Sequence, residues 1–138
     1  HIRQEVFALE QNILCQDLDD VDLDCLHVLG VEGPRVLAYA RLLPPGIRGD
    51  VPSFGRVLTA ATHRRRGLGI ELVRRCVAEI SERYPDLPIH ISAQVYLQHF
   101  YERFGFNAFG PHYIEDDIEH VGMDRPSDAT PDRSLTAN

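Results

Sequence analysis

The chain has 138 residues, 43% of them apolar and 25% charged, with a formal net charge of −7. This is the length of one domain with an ordinary globular composition, able to bury a core without disulfides or metals. No apolar run approaches the ~20 residues of a membrane helix, no signal-peptide pattern is present, and the acidic balance argues against nucleic acid, which needs a broad basic surface. The chain opens at His1 without a methionine and runs at once into Arg3-Gln4-Glu5-Val6-Phe7. We expect the true start to lie upstream and an N-terminal strand to be missing.

In chain order, residues 3–11 read as the end of a helix with Val6 and Phe7 on its buried side, followed by an acidic loop over 16–22. Residues 25–31 and 36–42 are strand-like, and the Glu32-Gly33-Pro34-Arg35 turn makes them a hairpin. Pro44-Pro45-Gly46 and Gly49-Asp50-Val51-Pro52 punctuate a loop before a strand from Ser53 to Thr59. From Gly67 to Tyr84 the apolar period changes to that of a helix, with Leu68, Leu72, Val73, Cys76, Val77 and Ile80 on one face. Glu71/Arg75 and Glu79/Arg83 pair on the other face, and Pro85 closes the helix. Residues 89–93 form a short buried strand. A second helix carries Leu97, Phe100, Tyr101 and Phe104 and ends at Gly105. Residues 106–109 and 119–124 suit a closing antiparallel pair, and polar residues 126–138 read as a disordered tail after a folded domain over 1–125. Strands interleaved with two helices imply a single α/β or α+β domain with a mixed sheet.

Charge is unevenly distributed. Residues 1–50 sum to −5, residues 51–110 to +3 and residues 111–138 to −5, and every basic side chain is arginine. A basic island between acidic segments fits an anionic ligand held locally and a cationic one nearby. The three cysteines, Cys15, Cys25 and Cys76, are odd in number and widely spaced, as in a reduced cytoplasmic protein. Cys15, Cys25 and His27 match no zinc spacing, so no metal is expected, and Cys76 lies on the packing face of its helix.

The segment that carries chemistry is Arg64-Arg65-Arg66-Gly67-Leu68-Gly69, placed between a strand and a helix. Glycines two apart let the backbone turn tightly and expose successive N–H groups at the positive end of the helix, which suits a pyrophosphate. A nucleotide P-loop would need a lysine, and a dinucleotide fold a third glycine where Leu72 stands.

Arg64-x-x-Gly67-x-Gly69 in this setting resembles the cofactor motif of the GNAT superfamily of N-acetyltransferases, and Phe100-Tyr101-Glu102-Arg103-Phe104-Gly105-Phe106 resembles a second signature of that family. The chain is more narrowly similar to the ElaA-like branch. That similarity rests on residues 5–11, Tyr39-Ala40-Arg41-Leu42, Gly55-Arg56-Val57, Ala93-Gln94-x-Tyr96-Leu97-Gln98-x-Phe100-Tyr101 and residues 113–120. The resemblance implies a mixed, mostly antiparallel sheet split by a V-shaped opening, and acetyl-CoA as acyl donor. By the same resemblance Arg64, Arg65, Arg66, Gly67, Leu68 and Gly69 hold the pyrophosphate, and Val57, Leu58 and Thr59 hydrogen-bond the pantetheine arm. Gln94 stands where many relatives have an asparagine that contacts the cofactor.

Spacing alone makes Tyr101 part of a packing stripe; the resemblance makes it the general acid that protonates the departing thiolate. Glu10, Asp17, Asp19, Glu115, Asp117, Glu119 and His120 are all candidates to deprotonate the acceptor, and the sequence does not choose among them. The implied reaction is direct acetyl transfer to a primary amine, of a small molecule or a peptide, drawn by acidic loops at 16–24 and 115–119. Polyamine, aminoglycoside, amino acid and protein N-terminus all remain open as acceptors. The rival reading is a non-catalytic acyl-CoA-binding regulatory domain on the same fold.

Overall fold

The computed structural model describes residues 2–3, 24–60 and 67–128. The expected N-terminal helix beyond Arg3, the acidic loop over 16–22, the three arginines of the cradle and the tail from residue 129 therefore lie outside the described residues.

Among the described residues, six strands form one sheet. They are β1 (Leu26–Glu32), β2 (Arg35–Leu43), β3 (Ser53–Thr59), β4 (Ile89–Gln94), β5 (Asn107–Glu115) and β6 (Ile118–Arg125), in spatial order β1-β2-β3-β4-β6-β5. Every neighbouring pair is antiparallel except β3 and β4. The β1–β2 hairpin turns at Gly33, whose φ of 59° is the left-handed conformation its tight turn requires. Helix α1 (Leu68–Arg83) makes the crossover between the two parallel strands, and a 3-10 turn (Val95–Leu97) leads into the short helix α2 (Gln98–Glu102).

Strand alternation assigns the two faces of the sheet. Ala38, Ala40 and Leu42 of β2, Phe54 of β3, Ile89, Ile91 and Ala93 of β4, and Val121 and Met123 of β6 point to one side. There they meet Leu72, Val73, Cys76 and Ile80 of α1, which recur at the three- and four-residue intervals of an amphipathic helix. Phe106 and Tyr101 complete this core. On the opposite face Tyr39 and Leu58 form a smaller cluster with Ile2, and Arg3 donates to the Tyr39 hydroxyl at 3.2 Å.

Two elements differ from expectation. The aromatic stripe over 97–104 is carried by a 3-10 turn followed by one turn and a half of α-helix rather than by one continuous helix. The closing pair is longer than expected, because β5 runs on through Gly110 and Pro111 to Glu115. Gly110 takes φ 72° and the register shifts between Phe109 and Tyr113, so a bulge absorbs the proline on an edge strand, where its missing N–H costs no ladder bond.

Candidate active site

The parallel pair β3–β4 registers at one position only, Ser53 opposite His90, supported by a hydrogen bond from the His90 amide to the Pro52 carbonyl at 3.1 Å. Beyond that point the strands separate, and a cleft of about 240 Å³ opens between them. Residues 53–57 of β3 form one wall and residues 91–94 of β4 the other, with Tyr101 from α2 also lining the cleft.

A second irregularity shapes the β3 wall. Tyr39 pairs with Leu58 but Arg41 pairs with Gly55, so one β2 residue faces both Arg56 and Val57. Arg56 adopts φ 54°, the left-handed conformation that lets a strand carry an extra residue. The bulge turns β3 where, among the described residues, its β4-facing edge has no partner strand. A main-chain edge without a strand partner is a ready place for an extended chain of amides. Val57 lines the cleft, whereas the Leu58 side chain is buried on the Tyr39 side and Thr59 pairs with Ala38.

Gly67 stands at the N-cap of α1 with φ 75°, and among the described residues no atom beyond its chain neighbours lies within 4 Å of where its Cβ would be. Its glycine identity is thus a backbone requirement, not a packing one. Leu68 and Gly69 begin the helix, where N–H groups lack intrahelical acceptors. Arg64, Arg65 and Arg66 lie outside the described residues.

Tyr101 is 7% exposed. Its ring contacts Phe100, Phe54 and Phe106 with centroids 5.2, 6.4 and 6.2 Å apart. Burial, reinforced by Cys76 and Tyr96, raises its pKa above the ordinary phenolic value, so the proton stays on the oxygen throughout the physiological range. A phenol held this way is a hydrogen-bond donor, not a base. Packing and chemistry therefore coincide: the stripe that buries the ring also fixes its protonation state.

Gln94, the last residue of β4, pairs with His120 on β6, and both line the cleft. Of the seven candidate bases, Glu115 and His120 reach the cleft. Asp117 sits in the β5–β6 turn with φ 62°, and Glu119 is 2.8 Å from His112 instead. Glu10, Asp17 and Asp19 fall outside the described residues. Three arginines, Arg41, Arg48 and Arg56, also line the cleft, and Arg41 is only 2% exposed. In the sequence Arg41 stands out only as part of the family resemblance. An arginine inside the otherwise apolar run Val36–Leu43 was the available signal, since burying a charge is costly without a partner. Ser92 carried no role in the sequence and Tyr113 only a share of the resemblance, because the two meet only through strand pairing.

The family model described as "Acetyltransferase (GNAT) domain" matches residues 39–126. A UPF0039 protein of Synechocystis is 42% identical over 123 residues, which cover 88% of this chain and 80% of that protein. Protein ElaA of Escherichia coli is 36% identical over 126 residues, covering 90% and 82%. Its crystal structure aligns over 89% of this chain and 84% of that chain with a TM-score of 0.83. The crystal structure of an acyl-CoA N-acyltransferase from Pseudomonas aeruginosa aligns over 90% and 85% with a TM-score of 0.86 and 39% identity.

Proposed function

The chain belongs to the GNAT acetyltransferase family, in its ElaA-like branch, and on that premise we propose that it transfers an acetyl group from acetyl-CoA directly to a primary amine. The observation that carries this reading is the cleft between β3 and β4 with the buried phenol of Tyr101 lining it.

Each part of the donor has a suitable partner. The β4-facing edge of β3 at Val57, Leu58 and Thr59 would hydrogen-bond the amides of the pantetheine arm, as a strand edge takes up an added strand. Arg64, Arg65 and Arg66, with the main chain of Gly67, Leu68 and Gly69 at the start of α1, would hold the pyrophosphate by charge and exposed N–H groups. Gln94 would offer its side-chain amide to the same donor. The amine attacks the thioester carbonyl carbon, a C–N bond forms, the C–S bond breaks, and Tyr101 donates its proton to the departing sulfur. With amine and thioester held in one cleft, no acyl-enzyme is needed, and Cys76, buried in the core with its thiol pushed up to about 12, is unsuited to act as a nucleophile. The carboxylates of the 115–119 segment would favour an approaching cationic amine. An odd number of widely spaced cysteines fits the reducing cytoplasm as the compartment.

The test is a pair of measurements on the intact protein. Acetyl-CoA raises the melting temperature, and adding amines from a diverse panel releases thiol. Stabilisation without thiol release from any amine would instead favour a binding module. No stabilisation by acetyl-CoA would sink both readings.

A further inference from the structure

On the side of the cleft formed by β4, β5 and β6, four side chains form a connected group that the acid step does not use. The His120 Nδ1 lies 2.7 Å from the Ile118 carbonyl oxygen. A carbonyl can only accept, so Nδ1 carries the hydrogen, and the neutral ring keeps its lone pair on Nε2. Nε2 lies 3.9 Å from Glu115 Oε2, too far for a hydrogen bond but close enough for a carboxylate to stabilise a positive ring. Glu115 Oε2 accepts from the Ser92 hydroxyl at 3.3 Å, and Ser92 in turn accepts from the Tyr113 hydroxyl. Tyr113 stacks on the imidazole with centroids 6.0 Å apart and an interplanar angle of 21°. The imidazole is thus held at one nitrogen and on one face, with the other nitrogen left available, and it lines the same cleft as Tyr101.

We propose that His120 is the general base of this site and Glu115 the residue that positions and stabilises it once protonated. The inference rests on the acetyl-transfer reading above. An amine arrives as an ammonium with three N–H hydrogens and leaves as an amide with one, so two protons must depart. Nε2 of His120 takes the first, freeing the nitrogen lone pair for attack on the thioester carbon, and releases it to solvent after the acetylated product leaves. The second comes off the nitrogen as the tetrahedral intermediate collapses, and it restores the phenol of Tyr101, whose own proton has gone to sulfur. His120 is preferred to Glu115 because its side chain is 11% exposed against 48%, and because Glu115 already accepts from Ser92. The ionisable groups around His120 are Tyr113, which stacks on it, Glu115 near its Nε2, and Arg41, Arg48, Arg56, Tyr96, Tyr101 and Asp116, which line the same cleft.

Two experiments test this. In the first, kcat/KM for thiol release by the wild type is followed against pH with a weakly and a strongly basic amine, glycinamide and butylamine. An enzyme base gives an acidic limb at the same pH for both amines; a limb that follows each amine's own ionisation would show that only the free amine reacts, and would overturn the proposal. In the second, His120→Gln is expected to lower kcat/KM by about 10²-fold or more, remove that limb and keep the thermal response to acetyl-CoA. Imidazole is expected to restore part of the activity of His120→Ala. Glu115→Gln is expected to cost less and to keep the limb. His120→Gln within threefold of the wild type, or loss of the limb only in Glu115→Gln, would overturn the assignment while leaving acetyl transfer intact. A wild type that releases no thiol with any amine would remove the acetyl-transfer reading itself, and this inference with it.

Discussion

Tyr101→Phe separates the role of the phenol from that of the ring. The substitution removes one hydroxyl and leaves the aromatic contacts to Phe54, Phe100 and Phe106 in place. No side chain among the described residues hydrogen-bonds that hydroxyl, so its loss strands no partner, and folding stability is expected to change by less than about 1 kcal/mol. Losing a positioned acid costs roughly 10²- to 10⁴-fold in rate, equivalent to about 2.7–5.4 kcal/mol of transition-state free energy at 1.36 kcal/mol per tenfold. The two magnitudes differ enough to be told apart in one protein preparation. Steady-state thiol release at saturating acetyl-CoA reads the first, and thermal melting with and without acetyl-CoA reads the second. A variant that melts like the wild type, still responds to acetyl-CoA and keeps turnover within threefold would refute the acid role. Tyr101 would then be only a core aromatic.

Three further outcomes follow from the packing and the backbone. Burial pushes the Cys76 thiol from its ordinary 9.0 up to about 12. On raising the pH the unfolded chain therefore loses this proton first, so its contribution is intact below about 9 and destabilises the fold by about 1.4 kcal/mol at pH 10; urea titrations at pH 8 and pH 10 should show that loss shrinking in Cys76→Val. Gly67→Ala and Gly33→Ala both force alanine into positive φ with open space around it, and each is expected to cost about 1 kcal/mol of stability. Isothermal titration should show weaker acetyl-CoA binding in the Gly67 variant alone, and equal binding in both would detach the start of α1 from the pyrophosphate. Phe106, 1% exposed and edge-on to Phe54 at 5.8 Å, should cost about 3–5 kcal/mol on truncation to alanine, read by denaturant unfolding.

What was legible in the sequence follows from which forces are local. The strand Ser53–Thr59 and the helix over 68–83 stood out because alternation and the 3.6-residue period are written in consecutive residues. The full length of β5 was hidden because Gly110 and Pro111 read as breakers, and only the edge position of the strand makes them tolerable. The bulge at Arg56 was equally hidden: its left-handed conformation is imposed by the pairing of β2 with β3, not by a glycine. Gly67, Gly69 and Tyr101 stood out as candidates because they sit in contiguous motifs. Glu115 and His120 stood only among seven candidate bases, and their grouping with Ser92 and Tyr113 was hidden, because it assembles across three strands through the register of β4 on β6 and of β6 on β5.

The central claim is that the cleft between β3 and β4 transfers an acetyl group to an amine. It is tested most directly by incubating the protein with acetyl-CoA and an amine library, then following free thiol and product mass together. The account predicts thiol release that depends on one class of amine, matched mole for mole by a product heavier by one acetyl group. Thiol release without an acetylated amine, or neither with any amine despite acetyl-CoA binding, would contradict it.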